Sequence, residues 1–193
     1  VLITIFVGYF FRNPERFSPE GENLVLSPAD GTVVAVGPAE APCELELNNQ
    51  QWVRVSIFLS IFDVHINRFP VDGQVHQIHY TPGKFINAAS NKSSEENERN
   101  IIEMKSISEE SVIVVQIAGL IARRIVCDAT RNQEVVAGEE MGIIRFGSRV
   151  DIYLPETCKI KVKPGQTMIG GETIIGELKS SSNKNEIISG NQE

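Results

Sequence analysis

The sequence predicts a mainly β protein, of α+β type at most, folded as a single compact domain. Two observations carry this. Short β-branched and aromatic runs recur between Gly, Pro, Asn and Asp clusters, and 193 residues with 41% hydrophobic content bury one sizeable core but hardly two. Leu24-Val25-Leu26, Thr32 to Val36 and Trp52 to Leu59 are the first runs. Gln74 to Tyr80 alternates with a strand's period of two, and Val112 to Ala118 reads as a buried strand. Met141 to Ile144 and Val150 to Leu154 complete the series. Short helices are expected only around Val64 to Asn67 and near Gly119 to Arg123. Asn87 to Asn100 is polar and charged and is expected to be an exposed loop. Lys179 to Glu193 lacks apolar periodicity and is expected to be a disordered tail.

Residues 1–17 stand apart from the main domain, 18–178. Val1 to Phe11 is apolar, yet shorter than the roughly 20 residues a spanning helix needs. We read it as a membrane-associating segment with Tyr9, Phe10, Arg12 and Arg16 at headgroup level. The competing reading is a buried β-strand, because Ile, Val and Phe also favour strands. The first residue is valine and no small-residue cleavage site follows, so more chain is expected before it and a cleaved signal peptide is not.

The net charge of −7 leaves no basic stripe to neutralise phosphates and excludes nucleic acid as a partner. Arg123-Arg124 lies within an apolar run, where a solvated strand edge is favoured over a local anion site. Cys43, Cys127 and Cys158 are widely spaced and odd in number, so they read as reduced thiols of an intracellular protein. His76 and His79 fall on a strand-like stretch where their spacing does not suit a metal, and no metal is expected.

Arg145-Phe146-Gly147-Ser148-Arg149 interrupts the apolar pattern with a Gly-Ser bond between cations. Glycine admits backbone conformations closed to other residues, so the Ser148 hydroxyl has a route to the Gly147 carbonyl. Attack gives an ester. β-Elimination leaves dehydroalanine, which hydrolyses to a pyruvoyl group and ammonia. The alternative is a strand bulge or tight turn.

Six segments in order resemble the short form of the phosphatidylserine decarboxylase family: Phe11 to Arg16, Ser27 to Gly31, Asp63 to Pro70, Asn91 to Asn100, Gln116 to Gly119 and Arg145 to Arg149. The resemblance implies self-cleavage at Gly147-Ser148 into a β chain, 1–147, and an α chain, 148–193, that stay associated. It implies a covalent pyruvoyl group made from Ser148, with no external cofactor, acting as electron sink while phosphatidylserine becomes phosphatidylethanolamine and carbon dioxide. An archaeal ether-linked analogue shares the reacting part of that lipid. The implied partners are a phospholipid and a membrane surface, with peripheral attachment at the cytoplasmic face of the cell membrane. Self-association is left open.

Within the resemblance, Ser148 is the nucleophile and His65 is positioned to move protons in cleavage and catalysis. Asp30 is the carboxylate that would orient the imidazole, as in a Ser-His-Asp arrangement. The chain departs from better-known members, which carry a second histidine where Arg68 stands. Arginine is no base near neutral pH but holds phosphate or carboxylate, so Arg68 is a candidate substrate ligand. Either His65 serves both roles, or maturation uses strain and Asp30 more directly.

Pro28 to Val33 and Val162 to Gly176 resemble the two halves of a biotinyl/lipoyl-type barrel sandwich, with Pro-Gly and Gly-Gly at turns. That raises a rival, a carrier or binding module without catalysis. Swinging-arm carriers present lysine at a hairpin tip. Here the tips hold glycine, and Lys161 and Lys163 lie in a strand-like stretch, which disfavours the rival.

Overall fold

Most of the apolar runs form antiparallel strands, as the alternation requires. The computed structural model describes residues 1–45, 47, 50–83, 97–119, 124–145 and 148–180. Helix α1 (Leu2–Phe10) comes first, followed by β1 (Leu24–Leu26), β2 (Gly31–Ala39), β3 (Trp52–Leu59), β4 (Ile66–Arg68) and β5 (Gly73–Thr81). Then come β6 (Arg99–Ser106), β7 (Ser111–Ile117), β8 (Ile125–Cys127), β9 (Glu134–Val135) and β10 (Glu140–Ile144). The last four are β11 (Ser148–Pro155), β12 (Lys159–Ile160), β13 (Thr167–Met168) and β14 (Ile174–Glu177).

An eight-stranded sheet runs β13-β2-β3-β11-β7-β6-β5-β9, beside two three-stranded sheets, β1-β14-β12 and β4-β10-β8. Strand β11 lies mid-sheet, with Ser148 opposite Leu59 of β3 and Arg149 opposite Ile117 of β7. Its alternation sorts side chains to two faces. Val150, Ile152 and Leu154 join the main core with Val55, Ile57, Val114 and Ile102, which the small sheets cover through Val25, Ile175 and Met141. Tyr153 joins a second cluster on the opposite face with Trp52, Ile101, Ile113, Val115 and Ile117. Register shifts between Val33 and Ala35 and between Val75 and Gln77 bend β2 and β5, which helps curl the sheet. The segments expected to be two halves of one barrel do meet, Thr32 pairing with Thr167 and Gly31 with Met168.

Several expectations change. Val64 to Asn67 is not helical; Ile66 to Arg68 pairs with Ile143, Gly142 and Glu140 of β10. A helix needs only local partners, whereas β10 comes from more than seventy positions away and outcompetes it. Gly142 permits this at φ +154, because a Cβ there would stand 2.2 Å from the Val126 carbonyl oxygen of β8. The opening segment is a helix, so the buried-strand alternative falls; a helix satisfies its own backbone groups without a partner strand. The expected exposed loop ends early: Asn97 is fully buried and donates to the Ala118 carbonyl at 2.7 Å, and Arg99 and Asn100 begin β6. Residues 87–96 of that region, 120–123 of the expected second helix, and 181–193 of the expected tail lie outside the described residues. All three cysteines are free, and burial pushes the Cys158 thiol up to about 11.

Candidate active site

His65 follows a tight turn built by its own neighbours. The Ser60 N–H donates to the Asp63 carboxylate at 2.7 Å, and the Asp63 N–H donates to the Ser60 carbonyl at 3.0 Å. The imidazole is fully buried, with Nδ1 2.9 Å from the Asp63 carbonyl oxygen. A carbonyl only accepts, so Nδ1 carries the hydrogen and Nε2 carries the lone pair. Nε2 is buried and has no partner among the described residues. Phe10 of α1 lies over the ring, centroids 4.2 Å apart. Burial lowers the imidazole pKa and outweighs the opposing pull of Asp63, with the Arg12 charge adding to the lowering. The ring is therefore neutral at pH 7.

Ser148 opens β11. Its side chain is fully buried, and its Oγ likewise lacks a partner among the described residues. Backbone connections bring Ser148 and His65 to one end of the sheet. Leu59, opposite Ser148, leads directly into the Ser60–His65 turn, and the Ile144 N–H donates to the His65 carbonyl at 3.2 Å. Phe146 and Gly147 lie outside the described residues, so the carbonyl of the expected cleavage site has no described position. Arg149 and Asp151 point to the other face, joined as a buried bidentate pair at 2.8 and 2.7 Å.

Asp30 takes Arg16 on both carboxylate oxygens, at 2.9 and 2.8 Å, and the Gly170 N–H at 2.8 Å. It makes no hydrogen bond to His65, whose Nδ1 faces the Asp63 carbonyl instead; its charge still raises the His65 pKa as a minor contribution. Arg68 donates from Nη1 to the Gly138 carbonyl at 2.8 Å and from Nη2 to the Asn13 side chain at 2.8 Å. It thus ties the Asn13–Pro14 strap to the turn before β10.

That strap is how α1 reaches the site. The Tyr9 hydroxyl and Arg12 Nη2 both donate to the Phe62 carbonyl, at 3.2 and 2.7 Å, and Arg12 stacks over the Tyr9 ring. Sequence reasoning did not assign a role to Phe10 over His65, nor to the buried amides of Asn67, Gln116 and Asn100. Asn67, Asn100 and Gln116 stand inside three of the quoted segments, which was the available signal.

A buried hydroxyl and a buried basic nitrogen, both unpartnered at one end of a β-sheet, make this a candidate nucleophile-and-base centre of a β enzyme. The chain belongs to the phosphatidylserine decarboxylase family, whose model matches residues 3–176. A Rickettsia bellii protein named phosphatidylserine decarboxylase proenzyme is 53% identical over 177 residues, covering 92% of this chain and 77% of the relative. A Granulibacter bethesdensis protein of the same name is 56% identical over 178 residues, covering 92% of this chain and 73% of the relative.

Proposed function

We propose that the chain is a self-processing phosphatidylserine decarboxylase that matures at Gly147-Ser148 and converts phosphatidylserine to phosphatidylethanolamine and carbon dioxide. The observation that carries this is the buried, unpartnered Ser148 hydroxyl immediately after Gly147, in a chain of this family. His65 Nε2 takes the Ser148 proton as Oγ adds to the preceding carbonyl, then returns it to the Ser148 nitrogen as the peptide bond breaks. Its neutral state and its Nδ1–H tautomer suit that role. The orphaned polar atoms and the rigid start of β11 fit a reactive group at position 148. A pyruvoyl group there supplies an electron sink that no standard side chain offers.

Asp30 serves as a positioning residue in this reading. It holds the Arg16 strap and Gly170, and its field supports the imidazole. The pairing of β2 with β13 supports the barrel-sandwich reading of the two half-barrel segments. Helix α1 exposes Leu2, Ile3 and Ile5, and Ile61 and Phe62 of the neighbouring turn are exposed as well. Both elements adjoin the site, the helix through Phe10 and the turn through His65, and their exposed apolar side chains suit peripheral attachment at the cytoplasmic face of the cell membrane. No helix among the described residues is long and apolar enough to cross a membrane.

Intact mass is the decisive test. Purified protein should contain two chains, 1–147 and 148–193, the smaller blocked to Edman chemistry. They should separate only on denaturation, because β11 is laddered to β3 and β7 along its length. Ser148→Ala should stay single and inactive. An active, uncleaved chain would refute the reading.

A further inference from the structure

Two arginines flank the contact between Phe10 and His65, and neither joins an ion pair among the described residues. Arg12 follows the end of α1. Its Nη1 and Nη2 donate to the Tyr9 and Phe62 carbonyls at 2.9 and 2.7 Å, and its guanidinium carbon lies 3.8 Å from the Tyr9 ring centre. Arg145 follows Ile144, whose N–H donates to the His65 carbonyl. The Arg145 guanidinium carbon lies 5.9 Å from the Phe11 ring centre, and its Nε is buried with no hydrogen-bond partner among the described residues.

Both side chains are half-buried, in a chain whose net charge is −7. Partial burial strips water from a cation and carbonyls replace only part of it, so an anion brought close stabilises each guanidinium. The two cations are joined by aromatic rings. Phe11 meets Phe10 edge-on, centroids 5.0 Å apart, and Phe10 lies over His65. Arg12 stands near enough for its charge to act on the imidazole. Tyr9, Phe11 and Phe62 are exposed, so the cations sit inside an apolar rim. That combination suits an amphiphile whose anion lies close to its reacting group.

We propose that Arg12 and Arg145 form the subsite for the phosphodiester of the phospholipid substrate. This rests on the decarboxylase reading above. The substrate brings two anions, the phosphodiester and the α-carboxylate. A cation paired with the carboxylate would stabilise the ground state more than the departing carbon dioxide, and would slow the reaction. The phosphodiester keeps its charge throughout, and planar guanidinium forks suit its oxygens. Arg68, the anion ligand expected from the sequence, is held instead by the Gly138 carbonyl and Asn13. The exposed rings beside the cations then meet the glycerol and acyl part of the lipid.

The test uses the full chain at pH 8, where His65 is neutral, and two water-soluble probes. Dihexanoyl phosphatidylglycerol has the phosphodiester but no amine, and its binding is read by phosphorus NMR line broadening. O-Hexylserine, an ether, has the amine and carboxylate but no phosphodiester. Cyanoborohydride reduces its imine with the pyruvoyl group, and intact mass counts the adduct. Arg12→Gln and Arg145→Gln should each raise the Kd of the first probe about 10–100-fold, the loss expected for a charged hydrogen-bond donor. Trapping of O-hexylserine, normalised to the cleaved fraction, should match wild type. Equal losses on both probes would make the arginines supports of α1 and overturn the proposal. An unchanged Kd in both variants would overturn it too, as would inorganic phosphate binding as tightly as the lipid, the mark of a free-phosphate site. Wild type that traps no O-hexylserine would refute the decarboxylase reading itself and the proposal with it, whatever the NMR shows.

Discussion

Replacing Phe10 by alanine should shift the pH range over which the chain matures. Phe10 is the fully buried residue of an otherwise largely exposed helix, and its ring covers His65. Burying a phenylalanine contributes about 1.5–3 kcal/mol, and an aromatic pair about 0.5–1.5 more. Phe10→Ala therefore costs the docked state of α1 roughly 2–4 kcal/mol, a factor of about 30–1000 in its population. Undocking removes the burial that lowers the His65 pKa, and it loosens Arg12, whose charge lowers it further. Both changes move the imidazole up toward its ordinary value near 6.5. The base works only when neutral, so the acid limb of the wild-type cleavage profile lies below the usual histidine range. In Phe10→Ala that limb should move to higher pH, with the plateau rate above pH 8 nearly kept. Stability has the same sign: a lowered folded pKa means the unfolded chain takes up a proton first, so stability falls as pH drops through about 6.5. Phe10→Leu, which keeps an apolar cover, should shift less. The assay is cleavage rate by intact mass from pH 5 to pH 9. An unmoved limb in a folded Phe10→Ala protein would refute the role of burial at His65.

Two further outcomes test the surroundings. Arg68→Ala should lower the melting temperature, because it leaves the buried Gly138 carbonyl without its donor, at about 1–3 kcal/mol, whereas the exposed Asn13 side chain turns to water. Arg68→Lys should restore only part, since an ammonium lacks the guanidinium fork. Unchanged melting with a raised KM on dispersed lipid would instead make Arg68 a substrate ligand. Deleting residues 1–11 should reduce liposome co-sedimentation and activity on vesicles. Ile61→Ser with Phe62→Ser should do the same without uncovering His65, and full vesicle binding by both variants would rule out this surface.

Much of the chain's chemistry was legible one residue at a time. The Gly147-Ser148 junction, the histidine after the Asp63 turn and most strands from Leu24 to Leu154 are local patterns, because alternation and turn residues act over a few positions. The expectation of a helix at Val64 to Asn67 failed, since its competitor β10 is distant in sequence. The same holds for the electrostatics. Asp30 lies in a segment that resembles a triad member's, yet the fold pairs it with Arg16 and gives the His65 Nδ1 to a neighbouring backbone carbonyl.

The sequence by itself determined the β class and the family resemblance, and it marked Gly147-Ser148 as the proposed scissile bond, all of which depend on composition and near neighbours. Only the tertiary structure decided that Phe10 caps the imidazole, that Arg68 ties backbone segments together, and that the buried Asn67 side-chain oxygen accepts from Gln116. Those depend on which distant residues share one face of a sheet, and on which polar atoms the closing core leaves without a partner.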